Sequence, residues 1–345
     1  MRLVASTVAL VVVVVLVAVL GVHAWHDAHR SDLQQALDLA PKDASRYSWT
    51  DWAGVRTALG VSGTGQAADE ALVDKGYDAD LTPGSSITTS IDTLRSAFGF
   101  TPATMSWELL TQSTTGAALL MKVSDAVSFD TIRAHLTSAG FAGPQDGVWD
   151  GSAVNGTGAV PILQYAALDP SRHLVVTSDD AGFLADVVGH LGDGSLPAPL
   201  GQVAGQVGDP LSAELYDGDY TCSHLAMANA DATDQAQGDQ LIAQAGKVNP
   251  VLGFAMARSR TAGGKPGDVR VAMAFADHDQ AVTNATTRAK LASGDAPGQG
   301  GSFLDRFTLG EVAARGSVVT MDLRPIDGSP VLSDLSTGPL LFATC

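Results

Sequence analysis

Apolar residues are distributed along this chain in three distinct rhythms. The first is continuous: Leu3 to Val22 carries no charge and, at about 1.5 Å per residue, a helix of that run spans roughly one hydrocarbon thickness. Trp25 follows where an interfacial ring belongs. The run is longer than the usual apolar stretch of a cleaved leader, so an uncleaved single-pass anchor is expected. A signal peptide cut after Val22-His23-Ala24 is the alternative. Arg2 and the terminal amine favour the N-terminus inside and the remainder of the chain outside the cytoplasm.

The second rhythm is helical. "SDLQQALDLA" (31–40) is amphipathic and stops at Pro41. In "YSWTDWAGVRTALG" (47–60), Trp49, Trp52, Val55 and Leu59 recur at steps of three, three and four, predicting one helix with both indoles on its buried face and Gly60 as its stop. Ser48 or Thr50 would cap it. Residues 61–86 have weak periodicity and read as a loop; "SIDTLRSAF" then sets Ile91, Leu94 and Phe98 on one face.

The third rhythm alternates. "ATMSWELLTQ" and "GAALLMKVS" read as strands, followed by a helix presenting Phe129, Ile132 and Leu136, a short strand "GVWDG", a hairpin turning at Asp169-Pro170, and the helix "DDAGFLADVVGHL". After an aperiodic Gly/Pro-rich stretch (192–210) the idiom returns. "SAELYDGDYTCSHLAMA" reads as a hairpin turning at Asp217-Gly218, then a helix, strands "VLGFAMARS" and "DVRVAMAFA", another helix and a last hairpin. Three times a strand runs through Asp into a helix, at Ser124-Asp125, Ser178-Asp179 and Ala276-Asp277.

The predicted fold class is therefore α+β: an N-terminal transmembrane helix followed by two related lobes, each an antiparallel sheet with helices packed on one face. The boundaries are 1–30 for the anchor or signal segment, 31–86 for juxtamembrane helices and loop, 87–191 for the first lobe, 192–210 for the connection and 211–345 for the second lobe.

Composition sharpens this picture. The 345 residues are 45% hydrophobic and carry a net charge of −17, which disfavours nucleic acid and anionic lipid headgroups as partners. Of the two cysteines, Cys222 is internal and Cys345 terminal. In an exported chain an even count favours a disulfide between them.

The segments "SWTDWAGVR", "GVWDG" with "LQYAALDPSRHLVVTSD", and "VNPVLGFAMA" with "VRVAMAF" resemble those of uncharacterised membrane-anchored exported proteins of actinobacteria, over most of the chain beyond residue 45. The resemblance implies the topology above and no activity, cofactor or site residues.

Candidate chemistry is sparse. His23, His26 and His29 fall at steps of three, so neighbours could share Zn²⁺ or Cu²⁺ with Asp27 nearby, but no fourth ligand is evident and a membrane-edge helix with its rings at the headgroups is the favoured reading. The Asp-Gly pairs read as turns. The segment from Asp78 departs from a calcium loop at Pro83 and at Ile87–Thr89. "GVSGTG" fails the nucleophile elbow, and no zincin, Walker or dinucleotide motif is present. Ser223 and His224 lie beside Cys222; as strand neighbours they would face opposite sides. His135, His173 and His190 are scattered.

The expected function is thus an extracytoplasmic, non-catalytic domain, anchored in the plasma membrane through residues 3–22 and binding cell-envelope components, with no cofactor. A carrier or sensor of an apolar or small ligand, and a hydrolase of unrecognised type, are the alternatives.

Overall fold

A computed structural model describes residues 30–154 and 160–345. Among them, twelve strands form one antiparallel sheet, in the order β11-β12-β10-β9-β8-β1-β2-β3-β7-β6-β5-β4. The α+β class stands. The two separate sheets expected from the sequence are corrected to a single one, because a strand expected to be helix joins the halves.

That strand is β1, Arg46–Thr50. It pairs with β2, Met105–Gln112, on one side and with β8, Ser212–Asp217, on the other. The predicted helix over 47–60 begins only at Trp52 (α2, Trp52–Leu59), and Asp51, rather than Ser48 or Thr50, caps it by accepting from the Gly54 amide at 2.8 Å. Trp49 and Trp52 are both fully buried, but on opposite faces of the sheet. Trp49 packs against Trp107, the rings tilted with centroids 5.4 Å apart, whereas Trp52 packs with Val55, Leu72 and Phe98. Gly60 does end the helix, at φ 63°.

The two halves repeat one topology. In the first unit α1 (Asp32–Leu39) leads into β1; helices including α2 and α3 (Gln66–Asp78) follow, then β2 and β3 (Ala117–Val123), α4 (Phe129–Ala139), and the hairpin β6 (Tyr165–Asp169) and β7 (Leu174–Ser178). The short pair β4 (Ala142–Gln145) and β5 (Val148–Asp150), turning at Asp146-Gly147, extends this edge, and α5 (Ala181–Gly189) closes the unit. In the second unit α6 (Ala198–Ala204), inside the stretch read as aperiodic, leads into β8. Helical turns and α7 (Ala232–Ala245) follow, then β9 (Gly253–Arg260), β10 (Pro266–Ala274), α8 (His278–Leu291), β11 (Phe307–Arg315), β12 (Val318–Pro325) and α9 (Val331–Ser336). The order β1-β2-β3-β7-β6 mirrors β8-β9-β10-β12-β11.

Asp217-Gly218, expected to turn a hairpin, instead starts helical turns: Asp217 accepts from the Tyr220 amide at 2.6 Å. Asp51 and Asp217 are therefore equivalent caps, each ending a central strand. The residues three before them, Ser48 and Glu214, pair directly across the β1–β8 junction and so lie on the pseudo-twofold axis.

Helices cover both faces, correcting the one-face expectation. One face is a continuous apolar layer from α1 and α5 to α6. The other carries two separate cores: one under α2, α3 and α4, the other under α7, α8 and α9. Between them runs a polar seam. Among the described residues no helix is long and apolar enough to cross a membrane; the anchor expected over 3–22 lies outside them.

Candidate functional site

The seam follows from strand register. Glu108 on β2 stands opposite Thr50 on β1, Thr50 opposite Ser212 on β8, and Ser212 opposite Arg258 on β9. One step along, Ser48 stands opposite Glu214. In a strand these alternate residues share a face, here the one between the two cores. Glu108, Thr50, Ser212, Ser48 and Glu214 are all buried to within 1%.

The two carboxyls are served differently. Glu214 accepts from the Ser48 hydroxyl at 2.7 Å, the Tyr216 hydroxyl at 3.2 Å and the Arg46 guanidinium at 3.3 Å. Burial pushes its pKa up, and Arg46, Ser48 and Tyr216 pull it back in part. Glu108 receives the Ser86 amide on Oε1 at 3.1 Å, and its Oε2 has no partner. Burial raises its pKa to about 7; the nearby Ser85 hydroxyl and Trp52 indole N–H, neither forming a well-aligned hydrogen bond to it, and the Ser86 amide oppose the rise. The other members of the row, Thr50 Oγ1, Ser212 Oγ and Arg258 Nε and Nη1, likewise have no partner. A buried polar atom left so costs about 1–3 kcal/mol, and a contiguous row of them is a departure from ordinary core packing.

Equivalence between the units isolates Glu108 further. It stands opposite Thr50, one residue before the Asp51 cap; Phe254 stands opposite Tyr216, one residue before the Asp217 cap. Where the second unit buries an aromatic ring in its core, the first buries a carboxyl.

Residues 79–90 cross the seam as a strap. Leu81 and Ile87 anchor it in the apolar core. Asp80, itself buried, accepts from the Leu332 amide at 2.6 Å, the Ser333 amide at 2.9 Å and the Ser333 hydroxyl at 2.7 Å, tying the first unit to α9 of the second. Gly84 passes so close to Glu214 that a Cβ would lie 2.4 Å from Oε1.

A second feature is an open groove of about 550 Å³ lined by Gln206–Asp209, Ser259–Thr261, Gly267, Asp268, Arg270 and Asp322. Its charges pair within it or at its rim: Arg270 holds Asp322 through two bonds of 2.7 and 2.9 Å, and Arg260 bonds Asp51 and lies 3.5 Å from Asp209.

The residues singled out from sequence fall elsewhere. Cys222 and Cys345 form a disulfide. His23, His26 and His29 lie outside the described residues, among which no cluster of three or more His, Cys, Asp or Glu is suited to a metal. Ser223 and His224 are not on a strand but on a helical turn, where Ser223 Oγ is 2.7 Å from His224 Nδ1. Because that hydroxyl already donates to the Asp219 carbonyl at 2.6 Å, it accepts from the imidazole and is not primed as a nucleophile. His135, His173 and His190 sit on α4, in the β6–β7 turn and at the end of α5.

Glu108, Glu214, Arg258 and Asp80 were missed. The available signal was a charge in the middle of an otherwise apolar strand, "SWELL" and "SAELY". It becomes informative only once both faces of the sheet are known to be covered.

No protein-family model matches this chain, and no curated protein does. Among solved structures it is similar to crystal form I of TP0453, at 9% identity and a TM-score of 0.42 over 89% of this chain and 97% of that one. It is likewise similar to crystal form III of TP0453, at 8% identity and 0.42 over 88% and 98%. A likeness of that size bears on no residue of the seam or groove.

Proposed function

We propose that this chain is an extracytoplasmic binding domain of the cell envelope, held at the plasma membrane by residues 3–22 and without catalytic activity of its own. The observation that carries the compartment is the Cys222–Cys345 disulfide, since such bridges form and persist on the oxidising side of the membrane. The binding role draws support from the open polar groove beside β9, β10 and β12, whose paired charges offer donors and acceptors to a polar partner, and from the acidic net charge of −17, which favours basic partners. The carrier alternative draws what support it has from the buried polar row, which suits a small polar ligand better than an apolar one.

The test places a photocrosslinking amino acid at Gln206 or Thr261, both lining the groove, in the full chain in intact cells, with a membrane-impermeant thiol reagent applied before and after reduction. The expected result is a site-specific crosslinked species and thiols that react only after reduction. A reporter on the C-terminus active only in the cytosol, or free thiols without reduction, overturns the compartment. Absence of crosslinks from both groove positions, with the bridge intact, overturns the groove as the binding surface.

A further inference from the structure

The strap and the row beneath it form a unit that the envelope-binding reading does not use. The strap lies between two fixed points. At one end Asp80 is held by Leu332 and Ser333 of α9; in the middle Ser86 hydrogen-bonds Glu108. Gly84 between them has no side chain to wedge it in place and grazes Glu214. Beneath it, Glu108, Thr50, Ser212 and Arg258 each hold a buried polar atom with no partner.

We propose that residues 79–90 are a proton-controlled strap: it closes over the row while Glu108 carries its proton and loosens when Glu108 loses it. The surroundings of Glu108 give the physical reason. From β1 it is faced by Thr50, from β3 by Met121, from α2 by Trp52, and from the strap by Ser85 and Ser86. No lysine, arginine or histidine among the described residues acts on it. The other charges of the seam are engaged elsewhere: Glu214 with Arg46, Asp51 with Arg260, Asp80 with α9, and Arg258 facing Asp80 and Asp268. An ionised Glu108 under a closed strap is thus a buried charge without a counterion, and the element able to yield and admit water is the strap, which offers it only the Ser86 amide and the nearby Ser85 hydroxyl. Raising the strap uncovers a row with a carboxyl at one end and a guanidinium at the other, about 14 Å apart across three strand spacings, with two hydroxyls between.

The closed state titrates near 7 and an opened, hydrated one near the ordinary carboxylate value. The opening constant therefore rises about tenfold per pH unit between roughly 5 and 7 and levels off above. Hydrogen exchange on the full chain in detergent, corrected for the intrinsic pH dependence of exchange, reads this directly. Peptides covering 79–90 are expected to lose protection by tens of fold between pH 5 and pH 8, while β3 keeps its protection. In Glu108→Gln, which cannot ionise, the strap is expected to exchange alike at both pH values. Strap protection that is flat with pH in the wild type overturns the proposal without recourse to any variant. So does loss of protection in strap and β3 together, which signals global loosening, or an unchanged pH response in Glu108→Gln. None of these outcomes touches the compartment or the groove.

Discussion

At the scale of single residues, Glu108 sets a stability trend with a defined sign. Its native pKa of about 7 lies above the ordinary glutamate value, so between roughly 4.5 and 7 the folded chain holds a proton that the unfolded chain has released. Its contribution to stability is full below that window and falls as pH rises through it, by up to about 3 kcal/mol. Glu108→Gln is expected to remove this part of the pH dependence. Urea melts of the two proteins at pH 5 and pH 8 are expected to converge at the lower value and to favour the variant at the higher. Trp52, fully buried between the strap and the first core, is expected to cost about 3–5 kcal/mol when replaced by alanine; an unaltered melting temperature would contradict its burial. The burial of both tryptophans was legible in the sequence. Their separation onto opposite faces was not, because steps of three, three and four match a helix whether or not Asp51 interrupts it.

Among elements, the C-terminal segment shows how local signals and long-range ties divide the labour. The helix α8 was readable from its capping Asp277 and its length, and Asp277 does accept from the Gln280 amide at 2.8 Å. What α8 holds was not readable. Its Arg288, fully buried, donates to the carbonyls of Phe342 and Asn249, each at 2.7 Å, and to Asn284 Oδ1 at 3.1 Å; burial without an acidic partner lowers its pKa to about 9. Three residues beyond Phe342, Cys345 is bound to Cys222, 123 positions earlier. Replacing both cysteines by serine is expected to destabilise the fold by about 4–5 kcal/mol on the chain-entropy estimate, measured by chemical denaturation. Arg288→Met leaves the Phe342 and Asn249 carbonyls without their donor, while Asn284 Oδ1 keeps the Asn249 amide, and is expected to cost about 3–5 kcal/mol, with the C-terminal peptides the first to lose exchange protection. The hairpins β6–β7, β9–β10 and β11–β12 and the helices α1, α4, α5, α7 and α8 all follow from period and turn residues. The exceptions, β1, β4, α3, α6, α9 and the helical turns after Asp217, are short or weakly periodic elements whose identity depends on their neighbours.

For the molecule as a whole, the β1–β8 junction is decisive. It merges two units of the same topology into one sheet and places Ser48 and Glu214 on the axis between them. A fragment ending before α6, residues 30–191, would leave the edge of β1 unpaired, with Ser48 and Thr50 in a row of open backbone donors and acceptors. Such an edge recruits another strand. The fragment is expected to self-associate in size-exclusion chromatography with light scattering, while residues 30–345 run without that contact; a monodisperse monomeric fragment would show that each unit closes its own edge. The polar seam exists only at this junction, since it is assembled from β1 and β2 of one unit and β8 and β9 of the other.

The α+β class, the repeated strand-to-helix idiom, most element types and the pairing of the two cysteines can be read from the order of the residues alone, because periodicity, caps, turns and cysteine arithmetic are local or compositional quantities. That the halves share one sheet, that Trp49 and Trp52 part company, and that Glu108 meets neither water nor a cation emerge only from the folded chain. Those outcomes depend on which strand edges meet and what covers each face, and residues far apart in the chain contribute to both.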